Sequence, residues 1–445
     1  MMLKRVNIWT LCAVVTVLGL NSCANSTQVK WDTVYYEPQY AEGFDIAGMN
    51  GSESRVIRVY DAWQRQNTDN QARAAKELLI LRNDEDAPSG YPGQIVNGDV
   101  RRLAIMSSTH YAMLELLDKT DILVAIDSKS NIDAGNDEII EIGSDVSPDY
   151  EALTAAEPEL ILIYGISGES PMEQRLRSLG IPYLYIGDYL EADPLGKPEW
   201  LVVMGEVLGC RTEAEDVFRA IANSYEELRD SLNNGYLSSK KSDIENSFIN
   251  GSNDDSKNKG SNNNKSNDDA QNDKSKDNKT KIEGKRPKVM LNLPYRDIWY
   301  MPSSRNAFAR IINDAGGEYI WTQDTGNQST PISFEEAFGL VSEADYWINP
   351  SQAESIREIV EAYPVFRDVK CIREGRVFNC NKRVNVKGAN EYWGMGQLRP
   401  DLVLRDLATI FGNQPCQPQA VQDSNSKDKK DRCSEEDLVY YQRLH

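Results

Sequence analysis

From residue 102 onward, short apolar runs alternate with amphipathic segments. Residues 102–107 (RLAIMS), 122–127 (ILVAID), 138–143, 159–164 (ELILIY) and 182–187 (PYLYIG) have the length and apolar density of buried strands, with helical segments between most of them. Such strands alternating with helices predict a parallel, helix-covered sheet. The best-marked helix opens at Ser147-Pro148, serine as N-cap and proline at N1. A second series repeats the plan: strand 288–293 (KVMLNL), a helix near 304–315, strand 318–321, a helix from Ser333, strand 344–349 (ADYWIN), a helix near 353–362 and strand 376–380. The fold class expected is therefore α/β, two lobes with mainly parallel sheets.

Between the lobes, residues 212–232 predict one long amphipathic helix. Thr212-x-x-Glu215 reads as its capping box, and Ala214, Val217, Phe218, Ile221, Tyr225, Leu228 and Leu232 form its apolar stripe. From about 238 to 285 the composition turns to Asn, Asp, Ser, Lys and Gly, which cannot offset the entropy of ordering by burial. This insertion is expected to be disordered and dispensable. The tail after Pro415 is polar and expected to be loose. The division expected is a leader (1–22), an N-terminal extension with the start of the first lobe (23–100), the first lobe (101–211), the bridging helix (212–236), the insertion (237–286), the second lobe (287–413) and the tail (414–445).

The first residues address the chain. Lys4 and Arg5 precede an apolar run from Ile8 to Leu20 and then Asn21-Ser22-Cys23, the plan of a secretory signal. Small residues before a cysteine resemble the bacterial lipobox, which makes Cys23 the expected lipidation site. No other stretch reaches the roughly 20 apolar residues of a membrane-spanning helix. The net charge of -20 argues against nucleic acid and anionic lipid as partners. Seven cysteines form no close CxxC pair; Cys371 with Cys380, and Cys416 with Cys433, are candidate bridges in a secreted chain. Only two histidines, His110 and His445, are present, so neither a zinc site nor a Ser-His-Asp triad assembles easily. Walker A, dinucleotide-fingerprint, Gly-x-Ser-x-Gly and His-Glu-x-x-His motifs are absent. An α/β enzyme of the cell envelope is nonetheless an alternative, because fold does not fix function.

The run Gly143-Ser144-Asp145-Val146-Ser147-Pro148-Asp149-Tyr150-Glu151-Ala152-Leu153, followed by Glu157-Pro158-Glu159-Leu160, resembles the iron-siderophore and vitamin B12 periplasmic substrate-binding proteins of ABC importers. Leu179-Gly180-Ile181-Pro182, Ala315-Gly316-Gly317, Ser333-Phe334-Glu335, Gly375-Arg376-Val377-Phe378 and Arg399-Pro400-Asp401-Leu402 follow in family order. Tyr40-Ala41-Glu42-Gly43-Phe44 with Asp61-Ala62-Trp63-Gln64 resembles the N-terminal region of a lipoprotein subgroup. The resemblance implies two lobes bridged by one helix, a non-enzymatic monomer in the periplasm held by its lipid, and an importer permease and ATPase as partners. It also implies a chelated-metal ligand, an iron-siderophore complex first, with cobalamin or haem as alternatives, and no resident cofactor. Glu151 and Glu335 match the two carboxylates with which such proteins dock on permease arginines; each could equally complement its helix dipole.

Ligand-gripping candidates lie where strand ends feed loops. They are Ser107, Ser108, Thr109, His110 and Tyr111 after the first strand, Tyr164 after ELILIY, and Asn292, Tyr295, Arg296, Trp299 and Tyr300 after KVMLNL. Asn349, Arg383, Tyr392 and Trp393 complete the set. Each has a plainer reading: Ser107–Thr109 as helix caps, Trp299 and Trp393 as core, His110 as a support behind the site, Arg296 and Arg383 as partners of surface acids. A metal-ligating tyrosine, with Tyr164 as the candidate, would favour haem.

Overall fold

The computed structural model describes residues 29–60, 75–133, 138–164, 171–251, 286–296, 298–326, 328–413 and 435–445, with side chains in the long helix described up to residue 234. The expected leader, Cys23, Cys416, Cys433 and most of the insertion lie outside these residues.

Three five-stranded sheets build the molecule. The first is β1 (Thr33–Tyr36), β2 (Phe44–Gly48), β3 (Arg55–Tyr60), β4 (Ala75–Leu81) and β5 (Gln94–Asn97) in sequence order, antiparallel except for the parallel β4–β5 pair. The second is wholly parallel and contains β6 (Leu103–Ile105), β7 (Leu123–Ile126), β8 (Ile140–Glu141), β9 (Leu160–Ile163) and β10 (Tyr183–Tyr185), in the order β10-β9-β6-β7-β8. Helices α1 (Ser108–Leu116), α2 (Tyr150–Ala155) and α3 (Pro171–Leu179) connect its strands, and α4 (Gly196–Glu199) and α5 (Leu201–Leu208) follow. A bridging helix, α6 (Arg211–Gly251), leads to the second lobe. There β11 (Lys288–Leu291), β13 (Glu318–Tyr319), β15 (Tyr346–Ile348), β16 (Val377–Asn379) and β17 (Gln442–Arg443) form the sheet β13-β11-β15-β16-β17, parallel but for β17. The antiparallel pair β12 (Ile298–Met301) and β14 (Thr330–Ser333) stands apart from it. Helices α7 (Ala307–Asp314), α8 (Phe334–Glu343), α9 (Ile356–Ala362), α10 (Lys370–Arg373), α11 (Met395–Leu398) and α12 (Pro400–Ile410) complete this lobe.

The α/β expectation agrees with this architecture, and the N-terminal extension proves to be a sheet of its own. Its strands alternate as a half-buried sheet must: Phe44, Ile46, Ile57, Val59, Leu78 and Ile80 enter the main core, while Ala47, Val56 and Leu79 face Trp31 and Tyr91 on the other side. Burying each such aliphatic side chain contributes roughly 1.5–3 kcal/mol.

Four buried carboxylates of the first lobe grip this sheet and its loops. Glu199 accepts from the Tyr36 hydroxyl (2.9 Å) and the backbone N–H groups of Gln39, Tyr40 and Ala41 (2.7, 2.8 and 2.6 Å). Glu191 accepts from the N–H groups of Glu42 and Gly43 and from the Trp200 indole. A side chain at position 43 would meet the Trp200 ring at 2.7 Å, so only glycine allows this approach. Glu206 is paired with Arg82 and Arg211. Glu173 takes Lys76 of β4, Arg177 and the hydroxyls of Tyr183 and Tyr185.

Several expectations are corrected. Asp149, not Ser147, caps α2, accepting from the N–H groups of Glu151 and Ala152; Ser147-Pro148 form the turn before it. Thr212 lies inside α6, which starts at Arg211 and runs to Gly251, so the first residues of the insertion are helical. Cys371 and Cys380 are both free and buried rather than bridged. The end of the tail is not loose: Leu438, Tyr440, Tyr441 and Leu444 are buried, because residues 435–445 return to the sheet as β17. Among the described residues no helix is long and apolar enough to cross a membrane.

Two outcomes follow for stability. Glu199→Ala removes the acceptor of four donors, the Ala41 N–H among them buried, so urea unfolding should register a loss of about 3 kcal/mol. Burial pushes the Glu173 carboxyl up, but Lys76, Tyr183, Arg177 and Tyr185 outweigh it and hold the group down at about 2, against 4.5 for an ordinary glutamate. Its folded pKa is thus depressed, so its stabilisation is complete above about 4.5 and lost as pH falls towards 2. Glu173→Gln should flatten the acid limb of a stability–pH curve in that window.

Candidate functional site

Strand order locates the site. In the first lobe β6 and β9 are neighbours although the chain leaves β6 towards β7 on one side and returns to β9 on the other. In the second lobe β11 and β15 stand in the same relation. Crevices open at the carboxyl ends of strands where the order reverses. The residues that follow these four strands are Ser107–Thr109, Tyr164, Asn292 and Asn349.

The second-lobe side carries backbone strain. Asn292 and Asn349 occupy the left-handed region (φ 66° and 54°), as do Arg296 and Ser351 (both 50°). Asparagine enters this region more easily than most residues, whereas Arg296 and Ser351 are held there at a cost. The Asn292 side chain donates to the Tyr300 carbonyl of β12 (3.1 Å) and its own carbonyl accepts from the Trp347 indole of β15 (2.7 Å), which pins the loop to both strands. On β12 and the loop before it, Tyr295 and Tyr300 are exposed, and Arg296 lies over the Tyr295 ring.

The lobes meet beside this loop. Ser108 and Thr109 hydroxyls both donate to the Trp393 carbonyl (3.4 Å each), while the Trp393 ring is 54% exposed. Lys387, in the loop before it, donates to the Lys129 carbonyl of the first lobe (3.0 Å). Among the described residues, Lys197 to Gln397 (2.8 Å) and Arg310 to Asp193 (3.2 Å) also cross between the lobes, and Tyr225 of the bridging helix donates to Asp314 of the second lobe (2.6 Å).

Charge in the first-lobe wall is acidic. Burial, then Asp145 and Asp127, pushes the Tyr164 phenol up to about 12, so it is a neutral donor. Asp127, at the end of β7, has its Oδ1 buried without a hydrogen-bond partner, and burial raises its pKa. The Tyr111 hydroxyl donates to the Asp133 carbonyl (3.4 Å). Glu115 is raised by burial and by the nearby Glu391 and Asp133. Among the described residues no cluster of His, Cys, Asp and Glu is arranged to hold a bare metal ion.

The sequence candidates therefore separate. Ser108, Tyr164, Asn292, Tyr295, Arg296, Tyr300, Asn349 and Trp393 lie at strand ends or on exposed loops beside them, and Thr109 is buried at the lobe contact. Ser107 is the N-cap of α1, accepting from the Thr109 N–H. Four candidates belong to the interior instead, and Tyr111 is one of them, 6% exposed in the main core with its hydroxyl on the Asp133 carbonyl. Trp299 is fully buried, stacked on Trp347 with its indole donating to the Leu291 carbonyl. His110 is fully buried, its Nδ1 has no partner, and burial drives its pKa down to about 3, so it is a neutral imidazole. Tyr392 is 4% exposed and packs against Trp393, Tyr440 and Tyr441. Arg383 spends its charge on Glu391 (2.8 Å), the partner-acid reading. Sequence reasoning missed Asp127, Asp145 and Lys387; Asp127 closes the run ILVAID and was open to the same strand-end logic.

The family model of periplasmic binding proteins matches residues 103–242. That match spans the parallel sheet of the first lobe and the first part of α6. An uncharacterised lipoprotein of Methanocaldococcus jannaschii is 24% identical over 359 residues, 76% of this chain and 72% of the relative. Among solved structures, a periplasmic haem-binding protein from Pseudomonas aeruginosa is 16% identical, with a TM-score of 0.47 over 70% of this chain and 92% of that one. A siderophore-binding protein from Vibrio cholerae, solved with Fe3+–Desferal, is 14% identical (TM-score 0.46; 70% and 98% covered). A vitamin B12-binding protein from the same organism is 12% identical (TM-score 0.44; 70% and 97% covered).

The pKa of Tyr164 is directly testable. In protein labelled with 13C-tyrosine, its ring carbon should titrate near 12, and Asp145→Asn should move the titration down towards 10, the ordinary tyrosine value. Titration already near 10 in the unmodified protein would remove the acidic wall.

Proposed function

We propose that the chain is the substrate-binding component of an ABC importer and takes a chelated metal, an iron-siderophore complex first, into the cleft between its lobes. The observation that carries this reading is the facing of two strand-order reversals across a lobe contact, in a chain whose first lobe matches the family model. The cleft offers aromatic faces and hydrogen-bond donors, which grip the organic part of a chelate. Ser108, Thr109, Tyr164, Asn292, Tyr295, Arg296, Tyr300, Asn349 and Trp393 are the proposed contacts. The Tyr164 phenol, held neutral by burial and by Asp145, is a hydrogen-bond donor for the organic part of a chelate. Arg296, with no ion-pair partner among the described residues, is the cation available to an anionic chelate.

Delivery rests on Glu151 and Glu335. Both are exposed, both stand at the second position of a helix, capped by Asp149 and by Ser333, and neither carboxylate makes an ion pair or hydrogen bond among the described residues. Two such acids on separate lobes suit docking on permease arginines. Cys23 is the proposed lipid anchor, with the protein on the outer face of the importing membrane.

Titration of tryptophan fluorescence with Fe3+–Desferal, haem and vitamin B12 should detect one-to-one binding of a chelate. No response to any of them would count against the reading. The Glu151→Ala, Glu335→Ala double variant should keep ligand affinity and melting temperature while import in cells collapses, since losing one partner of an interfacial charge pair costs about 2–5 kcal/mol. Uptake at the wild-type rate and equal protein level would return both acids to the helix dipole.

A further inference from the structure

The last residues of the chain reach the cleft from behind. Residues 435–445 are tied to the second lobe at many points. Asp406 accepts from the N–H groups of Val439, Tyr440 and Tyr441 (2.9, 2.7 and 3.2 Å). Lys382 donates to the carbonyls of Glu436 and Leu438 (2.9 and 2.5 Å), the His445 carbonyl accepts from the Ile356 N–H, and Arg443 is paired with Glu435. These bonds set Tyr440 and Tyr441 edge-on against Tyr392, with centroids 6.0 and 5.9 Å away. Tyr392 in turn packs edge-on to Trp393 (5.1 Å), the residue whose carbonyl the first lobe holds. Tyr440 also carries the Arg383 guanidinium over its ring (5.9 Å). Its own hydroxyl is buried and forms no hydrogen bond, so the ring, not the oxygen, serves the packing.

We infer that Tyr440 is a positioning residue for ligand capture: the C-terminal segment wedges its ring behind Tyr392 and thereby sets where Trp393 stands at the lobe contact. This rests on the interlobe cleft being the ligand site. The wedge works through shape, since a phenyl ring fills the same space and an alanine leaves Tyr392 unsupported on that side.

The test compares Tyr440→Phe with Tyr440→Ala in the full chain, by amide hydrogen exchange and by binding of Fe3+–Desferal, haem and vitamin B12. Tyr440→Phe should match the wild type in both. Tyr440→Ala should speed exchange at residues 391–398 and at the start of α1 while β11 and β15 stay protected. It should also weaken whichever chelate the wild type binds by tenfold or more. Unchanged exchange at 391–398 in Tyr440→Ala, or slowed and accelerated amides spread evenly over the second lobe, would overturn the inference. Should the wild type bind none of the three chelates, the ligand reading falls, and the exchange data still decide the wedge.

Discussion

The short helix α4, residues Gly-Lys-Pro-Glu, is the joint on which the other parts depend. Glu199 at its end collects four donors from the N-terminal segment, and Lys197, two residues earlier, crosses to Gln397 of the second lobe. Both are charged groups withdrawn from water, a step that costs several kcal/mol per ion unless donors and acceptors replace the lost hydration. Here the replacements come from different parts of the chain. Burial lowers the Lys197 pKa while Asp188, itself pushed up to about 6 by burial, opposes that shift. The chain must bring residues 36–41, 188–199 and 397 together before both charges are satisfied, so one polar joint links the packing of three units.

The bonds between the two halves of the chain fall into two sets. The bonds from Lys197, Arg310 and Tyr225 fasten the lobes beside α4 and α6, whereas the contacts of Ser108, Thr109 and Lys387 are made by loops at strand ends. The first set involves buried or half-buried groups. The second consists of two hydrogen bonds of 3.4 Å and one made by an exposed lysine. A firm seam on one side and weaker contacts on the other is the arrangement that the proposed capture of a bulky ligand would use. Asn292 and Asn349, in the left-handed region, shape the second-lobe rim.

Much of this was legible in the sequence, for physical reasons. Buried parallel strands are apolar on both faces, so ILVAID, ELILIY and ADYWIN stand out, and strand ends then point to Tyr164, Asn292 and Asn349. The rest depended on contacts distant in sequence. RVIRVY alternates as a half-buried strand, but Glu173, Glu191, Glu199 and Glu206 look like surface acids until the fold supplies their donors. Trp299 and Trp393 cannot be told apart by composition; one fills the core because its indole finds the Leu291 carbonyl, the other is left outside at the lobe contact. The terminal VYYQRLH was overshadowed by the polar stretch before it, although its apolar residues carried the signal of a returning strand.

The claim on which the account stands is that the cleft holds a metal chelate. Protein isolated from its own cells without added ligand, and examined by native mass spectrometry with visible absorption, tests it most directly. The account predicts one metal-bearing small molecule per chain, with a chelate's absorption band that disappears on denaturation. A retained molecule free of metal, or a compound that the protein converts to product, would contradict it.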